Sequence, residues 1–333
     1  MAPEEGLLLP QASPVAARST QGTGGRHEGR TWASVYPPLV LLPRGQELFG
    51  PVVLGISARA ARRSEASRRA SGHNAQVEMR LLTYNILKGG ERREAEIVGV
   101  IRAAAPDVAV VQEVREEARF RRIAAALGMA PRLAAMHGRV PLRVGLLSRL
   151  PILGFRTLHP WPVWPGCVEA VVQPEDGIPL TVYGVHLAAY YPWFLERWRA
   201  HQVRALLRHV RHAAPGRHLI VGDFNAVAPG DRASLVQAPL WVRAQTWFQL
   251  GHITRRALGP LLEAGYTDCF RELHPEEDGF TLPSVDPQVR LDYVFAAPSL
   301  NEALRECRVI TSPKEVMVAS DHLPLLTEFG WGA

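Results

Sequence analysis

A chain of 333 residues can bury a large core and hold one or two domains, and its charged (21%) and apolar (47%) fractions are ordinary for a globular protein. The formal charge of +6 divides evenly, because residues 1–78 carry nine Arg against six Glu, a net +3, and leave +3 for all the rest; that excess does not by itself mark a nucleic-acid surface. Cys167, Cys269 and Cys307 are odd in number and widely spaced, which excludes a Cys-type metal spacing and argues for a reducing, cytoplasmic setting, and no apolar run is long enough to span a bilayer.

In chain order, residues 1–78 come first and stand apart. They are rich in Pro, Gly, Ala, Ser and Arg and show little periodicity, so the expectation is a disordered extension. A start site placed upstream of the natural one, and a basic tail that binds a partner, are the competing readings. A globular domain over 79–333 is expected to follow, its first strand starting at Met79. Leu81–Tyr84 reads as strand running into Asn85. Ala95–Ala105 fits an amphipathic helix stopped by Pro106. Val108–Gln112 reads as strand running into Glu113, and Val114–Leu127 as a helix ended by Gly128. Val144–Ser148, Ile152–Leu158 and Val168–Gln173 read as strands, and Leu180–Val185 as a strand reaching His186. Pro192–His212 is the longest helix, with Phe194, Leu195, Trp198, Val203, Leu206, Leu207 and Val210 on its apolar side. His218–Val221 is a buried strand that ends in Gly222-Asp223-Phe224-Asn225. Arg290–Phe295 embeds Asp292 in an apolar run, and Ser320-Asp321-His322 precedes a last strand over Leu323–Phe329. Arg305–Thr311 completes the strands. Many strands with interspersed helices predict a layered α/β fold built on two sheets.

The polar residues share one layout, at or near the ends of apolar runs. A sheet-based fold can gather such ends at one rim, where ligand crevices form. Singly, each has a plainer reading: Asp and Asn after a strand ordinarily cap a turn, and a carboxylate at a helix start favours the dipole. Together they suggest chemistry. Glu113 and Asp321 are hard oxygen donors and Asn85 offers an amide oxygen, a set that suits Mg²⁺ or Mn²⁺ rather than zinc. Asp292 and His322 can form a carboxylate–imidazole pair, with Asp223 the competing candidate for base or water-positioning group. His186 and Asn225 can donate hydrogen bonds to a phosphate as charge builds.

The ordered set Thr83-Tyr84-Asn85, Gln112-Glu113, Gly184-Val185-His186-Leu187, Gly222-Asp223-Phe224-Asn225, Arg290-Leu291-Asp292-Tyr293 and Ser320-Asp321-His322-Leu323-Pro324 resembles the endonuclease/exonuclease/phosphatase superfamily, over about residues 79–330. The resemblance implies a DNase I-like four-layer α/β sandwich, two mostly antiparallel sheets packed face to face with helices outside, and divalent-metal phosphoester hydrolysis. It makes Asn85, Glu113 and Asp321 metal-site residues, Asp292 and His322 the acid–base dyad, and His186, Asp223 and Asn225 the phosphate- and water-positioning set.

The superfamily leaves the substrate open. The expected partner is a phosphodiester, with nucleic acid one class and a lipid or small molecule the alternative; a non-catalytic binding module is the third reading, and no obligate protein partner is indicated. Gly138–Pro141, Trp161–Pro165, Tyr190–Phe194 and Val227–Leu262 are the loops expected to line the crevice.

Overall fold

The computed structural model describes residues 77–136, 142–158, 166–189, 193–213, 216–234 and 255–331. Residues 1–76 of the expected extension and most of the four loops expected at the crevice lie outside these residues, while Val77 and Glu78, expected to be part of that extension, belong to the first strand. In chain order the elements are β1 (Val77–Asn85), α1 (Glu94–Ala104), β2 (Val108–Val114), α2 (Glu117–Leu127), β3 (Ala130–Leu133), β4 (Arg143–Ser148), β5 (Ile152–Leu158), β6 (Gly166–Val172) and β7 (Leu180–His186). They continue with α3 (Trp193–Ala213), β8 (Arg217–Asp223), α4 (Gly259–Glu263), β9 (Thr267–Asp268), α5 (Cys269–Leu273), β10 (Asp292–Ala296), β11 (Leu304–Val309), α6 (Val316–Ala319) and β12 (Leu325–Trp331).

The strands form two six-stranded sheets, ordered β11-β12-β1-β2-β4-β3 and β5-β6-β7-β8-β10-β9. Each sheet has one parallel pair near its middle, β1 with β2 and β7 with β8. All other pairings are antiparallel. The two-sheet expectation is therefore met.

Alternation along the strands makes three apolar layers. Val108 and Val110 of β2 enter a core shared with Val168, Val182, Val221 and Val294 of the second sheet. Ala109 and Val111 turn the other way, under Ile97 and Ile101 of α1 and Phe120 and Ile123 of α2. On the far side, Tyr183, Val185 and Ile220 pack beneath Val203, Leu206 and Val210 of α3. Both faces of β2 are thus covered, which is why its apolar run is unbroken. The sheets approach closely enough that a Cβ on Gly184 would lie 2.9 Å from Val110 Cγ1 across the interface.

Several boundaries differ from expectation. Val114 is the last residue of β2, buried in the strand, and α2 starts only at Glu117. An apolar residue abutting an amphipathic run cannot be divided between strand and helix by periodicity alone. The last strand begins two residues later than expected, after Leu323-Pro324. The face of α3 that meets the protein is not purely apolar: Glu196, Arg199 and Gln202 are buried. Glu196 Oε1 accepts from the amides of Arg256 and Ala257 at 2.7 and 2.8 Å, and Arg199 donates to Ala188 O at 2.9 Å. These contacts fasten residues 256–257 and the segment after His186 to α3.

Candidate active site

The C-terminal ends of both parallel pairs meet at one rim. Asn85 ends β1 and Glu113 lies one residue from the end of β2, while His186 ends β7 and Asp223 ends β8. Because parallel neighbours finish at the same edge, Asn85 lies beside Gln112 and His186 beside Asp223. Asp292 opens the antiparallel strand β10 opposite Asp223, which brings it to the same edge. Asp321 and His322 lie in the connection from α6 to β12.

Asp223 is the hub, with 1% of its surface exposed. Its Oδ2 accepts from Asn85 Nδ2 at 3.0 Å and lies 3.6 Å from His186 Nε2 and 3.9 Å from His322 Nε2. Its Oδ1 accepts from the Asn225 amide at 2.8 Å. Asn85 Nδ2 also reaches Glu113 Oε1 at 3.3 Å, so one side-chain amide joins the two carboxylates. Asn225 donates from Nδ2 to Leu187 O at 3.1 Å. On the other side, His322 Nδ1 lies 2.8 Å from Asp292 Oδ2, with both residues buried. All eight residues expected to act therefore come to one place, the seven just named linked by these contacts and Asp321 joined through Ser320.

The backbone explains why these residue types recur. Gly222 has φ of 149°, and a Cβ there would lie 2.0 Å from Val185 O of β7, so no side chain fits where β8 delivers Asp223. Asn225 has φ of 48°, a left-handed conformation that Asn adopts more readily than most residues. Glu113 has φ of 63° without that excuse, and its carboxylate accepts the Lys88 amide through Oε2 at 2.5 Å.

Burial and charge set the protonation of the site. Burial pushes the Asp292 carboxyl up, against the lowering effect of His322. Burial alone would lower the His322 imidazole, yet the adjoining Asp292, with Asp223 and Asp321, carries it well above its ordinary value. Both directions favour the protonated form of the pair. Asp321 is raised by burial and by the nearby charge of Glu113.

The donor set around Asp321 and Glu113 bears on whether a cation fits. Asp321 Oδ1 lies 3.4 Å from Ser320 Oγ, whose proton goes to Asn85 O, and Glu113 is held by neutral donors, the Lys88 and Asn85 N–H groups. Asp321 also feels the positive charges of His322 and Arg93, and together with Glu113 and the Asn85 amide it supplies the hard oxygen donors that suit a divalent cation. Ligand atoms of Asp223, Asp292 and His322 also cluster within 4.8 Å. There the imidazole Nδ1 is already engaged by Asp292, so this group is better suited to handling a proton.

Sequence reasoning missed three supports. Ser320 Oγ donates to Asn85 O at 2.6 Å and accepts the His322 amide at 3.2 Å, tying the Asp321-His322 segment to β1. Arg93 joins the carbonyls of Leu87 and Ala319. Arg290 is fully buried, with bidentate ion pairs to Asp231 and Asp268, and its guanidinium lies 4.5 Å over the Tyr293 ring. Of these, Ser320 and Arg290 lie within motifs quoted above without a role given to them; Arg93 carried no signal of its own.

A packed pair of mixed sheets, with carboxylates and imidazoles gathered where both parallel pairs end, defines a hydrolase site of the DNase I-like sandwich class. The profile of the Endonuclease/Exonuclease/phosphatase family matches residues 82–322, and the chain belongs to this family of phosphoester-cleaving hydrolases. Among solved structures, it is similar to the 3′ phosphatase NExo from Neisseria bound to product DNA hairpin, at 21% identity over 76% of this chain and 100% of that one, with a TM-score of 0.58. It is also similar to an AP endonuclease from Archaeoglobus fulgidus (19% identity, 75% and 99% covered, TM-score 0.59). The human Nocturnin catalytic domain with bound sulfate is comparable (18% identity, 76% and 93% covered, TM-score 0.56). No match was found among curated proteins. Among the described residues, no helix is long and apolar enough to cross a membrane.

Proposed function

We propose that the protein is a divalent-metal-dependent phosphodiesterase of the nuclease kind. The observation that carries this reading is the placement of Asp223 Oδ2, which faces Asn85, His186 and His322 at once from a buried strand end. Asn85, Glu113 and Asp321 are the residues to hold Mg²⁺ or Mn²⁺, which when bound supplies charge to a phosphoryl oxygen and its leaving group.

The chain's own residues do the rest. Asp223 orients the attacking water and accepts its proton, because its carboxylate is fixed from behind by Asn85 and the Asn225 amide. Asp292 holds His322 by Nδ1, so Nε2 is the imidazole atom that faces Asp223 and moves a proton there. His186 Nε2, at 3.6 Å, is too far from Asp223 for a hydrogen bond and remains available to a phosphate oxygen. Asn225 uses its Nδ2 on Leu187 O, and an amide has a second N–H for the same phosphate.

The small surplus of positive charge after residue 78, +3 of the total +6, favours a second reading, a phosphodiesterase or phosphatase of a lipid or small molecule. Purified protein with Mg²⁺ or Mn²⁺ should hydrolyse an aryl phosphodiester, and Glu113→Ala, Asp223→Ala and His322→Ala should each abolish turnover. Full rate in EDTA, or in all three variants, would sink the mechanism. A panel of plasmid, single-stranded DNA, RNA, sphingomyelin and inositol phosphates separates the two readings.

A further inference from the structure

At about 100° of helix rotation per residue, Arg197, His201, Arg204, Arg208 and Arg211 of α3 fall within an arc of about 80°. All five are exposed. The other side of the helix is occupied. Val203, Leu206 and Val210 pack on the second sheet, and Glu196, the only acidic residue of α3, is buried against Arg199 at 2.9 Å. The exposed side therefore carries four Arg and no carboxylate. With five Arg and one Glu, α3 has a net charge of +4, whereas residues 79–333 total +3, so everything else in that span sums to −1. The positive surplus after residue 78 sits on one helix face.

The arginines of α2 are arranged differently. Arg119 pairs with Glu116 at 2.9 Å, Arg121 with Glu117 at 2.6 Å and Arg122 with Glu94 at 2.9 Å, so each is neutralised at close range. Among the described residues, no carboxylate comes within ion-pair distance of Arg197, Arg204, Arg208 or Arg211. Glu169 of β6 reaches α3 through His209 at 2.9 Å, but Arg156 already holds it at 2.8 Å. Arg204, Arg208 and Arg211 follow one another at spacings of four and three, at which like charges destabilise a helix. The protein carries that repulsion unrelieved, and a bound polyanion would offset it.

We propose that this face of α3 docks the phosphate backbone of a nucleic-acid strand. The helix links the end of β7 to the start of the parallel strand β8, so Arg197 lies toward the rim that carries His186 and Arg211 toward the opposite rim. The distance from Arg197 to Arg211 is about 21 Å at about 1.5 Å per residue. That length matches about six phosphates of one strand at about 3.4 Å each. Evenly spaced cations suit an evenly charged polymer, and guanidinium binds phosphate in a bidentate fork. A membrane surface fits less well, because a helix lying on a bilayer inserts its apolar face. That face of α3 is already buried over Tyr183, Val185 and Ile220. Nucleic acid is then the substrate class of the phosphodiesterase; this step rests on the hydrolase reading, whereas docking along α3 does not.

The test is binding of a labelled DNA duplex of about 20 base pairs, longer than the stripe, to the full chain in EDTA, followed by fluorescence anisotropy across a salt series. The combined Arg204→Gln, Arg208→Gln and Arg211→Gln variant should lose affinity on the order of 10²-fold at about 0.1 M salt, and its slope of log affinity against log salt should flatten by about 2–3. The combined Arg119→Gln, Arg121→Gln and Arg122→Gln variant of α2 loses the same charge and should bind within a few fold of the wild type, since charges beyond a Debye length of the strand are screened. Equal losses in the two variants would reduce the effect to net charge and overturn the docking face. Unchanged DNA binding in the α3 variant also overturns it, and if binding to phosphatidylserine vesicles is what that variant loses, α3 is a membrane surface instead. Turnover of an aryl phosphodiester needs none of these arginines and should be the same in both variants. Its absence from a wild type that binds DNA through α3 defeats the hydrolase reading and leaves the docking face standing; turnover without α3-dependent binding does the reverse.

Discussion

The first sheet delivers Asn85 and Glu113 from its parallel pair, β1 and β2, and the second delivers His186 and Asp223 from its own, β7 and β8. Read from β11 and from β9, the two sheets have the same succession of pairings: two antiparallel, one parallel, two antiparallel. The shared topology puts equivalent strand ends at one rim, but the ends are fixed by different physics. On the first sheet the backbone bears the strain, with Leu87, Lys88 and Glu113 all left-handed and amide N–H groups gripping the Glu113 carboxylate. On the second sheet Asn225 is left-handed too, and buried charge adds to the fixing, because Arg290 binds Asp231 and Asp268 while Tyr293 bonds Ala226 O and the Ala228 amide. That hub joins β10, which carries Asp292, to the segment following Asn225. The first half is suited to holding a cation, the second to holding protons and water in fixed positions.

The largest expected effect tests this division. Asp223→Asn should reduce turnover on the order of 10³-fold, the scale of losing a positioned base, and raising the metal concentration should not restore it. Glu113→Gln should also reduce turnover, but part of the loss should return as Mg²⁺ is raised, since the defect is in metal affinity. Metal titrations of both variants against an aryl phosphodiester decide the matter. Equal rescue of both, or of neither, would break the distinction between the halves.

Next in size is stability. Arg290→Met leaves Asp231 and Asp268 as buried charges without their main partner, and should cost about 3–5 kcal/mol. The counterpart on the first sheet, Arg80 with Glu328, is 29% and 20% exposed, and Arg80→Met should cost under about 1 kcal/mol. Urea unfolding of the two variants would show it. A cost for Arg80→Met matching that of Arg290→Met would mean that the buried hub is not what holds the second half.

How much of this could be read in the sequence follows the same line. Asn85, Glu113, His186 and Asp223 were legible because strand ends are local features, and a continuous Val-rich run announces where each end falls. Gly222 before Asp223 was legible as a pattern, and the close approach of Val185 O gives its reason. The clamp on Arg290 was not legible. Asp231 and Asp268 lie 59 and 22 residues away in the chain, and partner choice across such distances is made by the fold. β3 escaped notice because it is four residues long and holds Pro131, and the structure places it at a sheet edge, where proline is tolerated. The turn at 87–90 was half legible: Gly89-Gly90 allows positive φ, but nothing local requires Leu87 and Lys88 to follow. The repeated topology of the two sheets left no trace in the sequence, since pairing order constrains the alternation of apolar residues and not their identity.

The smallest effect bears on the strain assigned to the first sheet. Glu113→Ala and Glu113→Gly both remove the carboxylate and leave the Lys88 amide without its acceptor, so they differ only in what the backbone must do at φ of 63°. Alanine carries the Cβ penalty of a left-handed residue, and glycine does not. Glu113→Gly should therefore be more stable than Glu113→Ala by about 1 kcal/mol, measured as a difference in urea midpoint at equal slope. Ala109, earlier in the same strand, is absent from the positive-φ residues and packs against α1 and α2, so Ala109→Gly should be destabilising, the opposite order of the same two residue types. If glycine proved the worse residue at both positions, position 113 would not be left-handed in solution, and Glu113 would be held by the Lys88 and Asn85 contacts without stored strain.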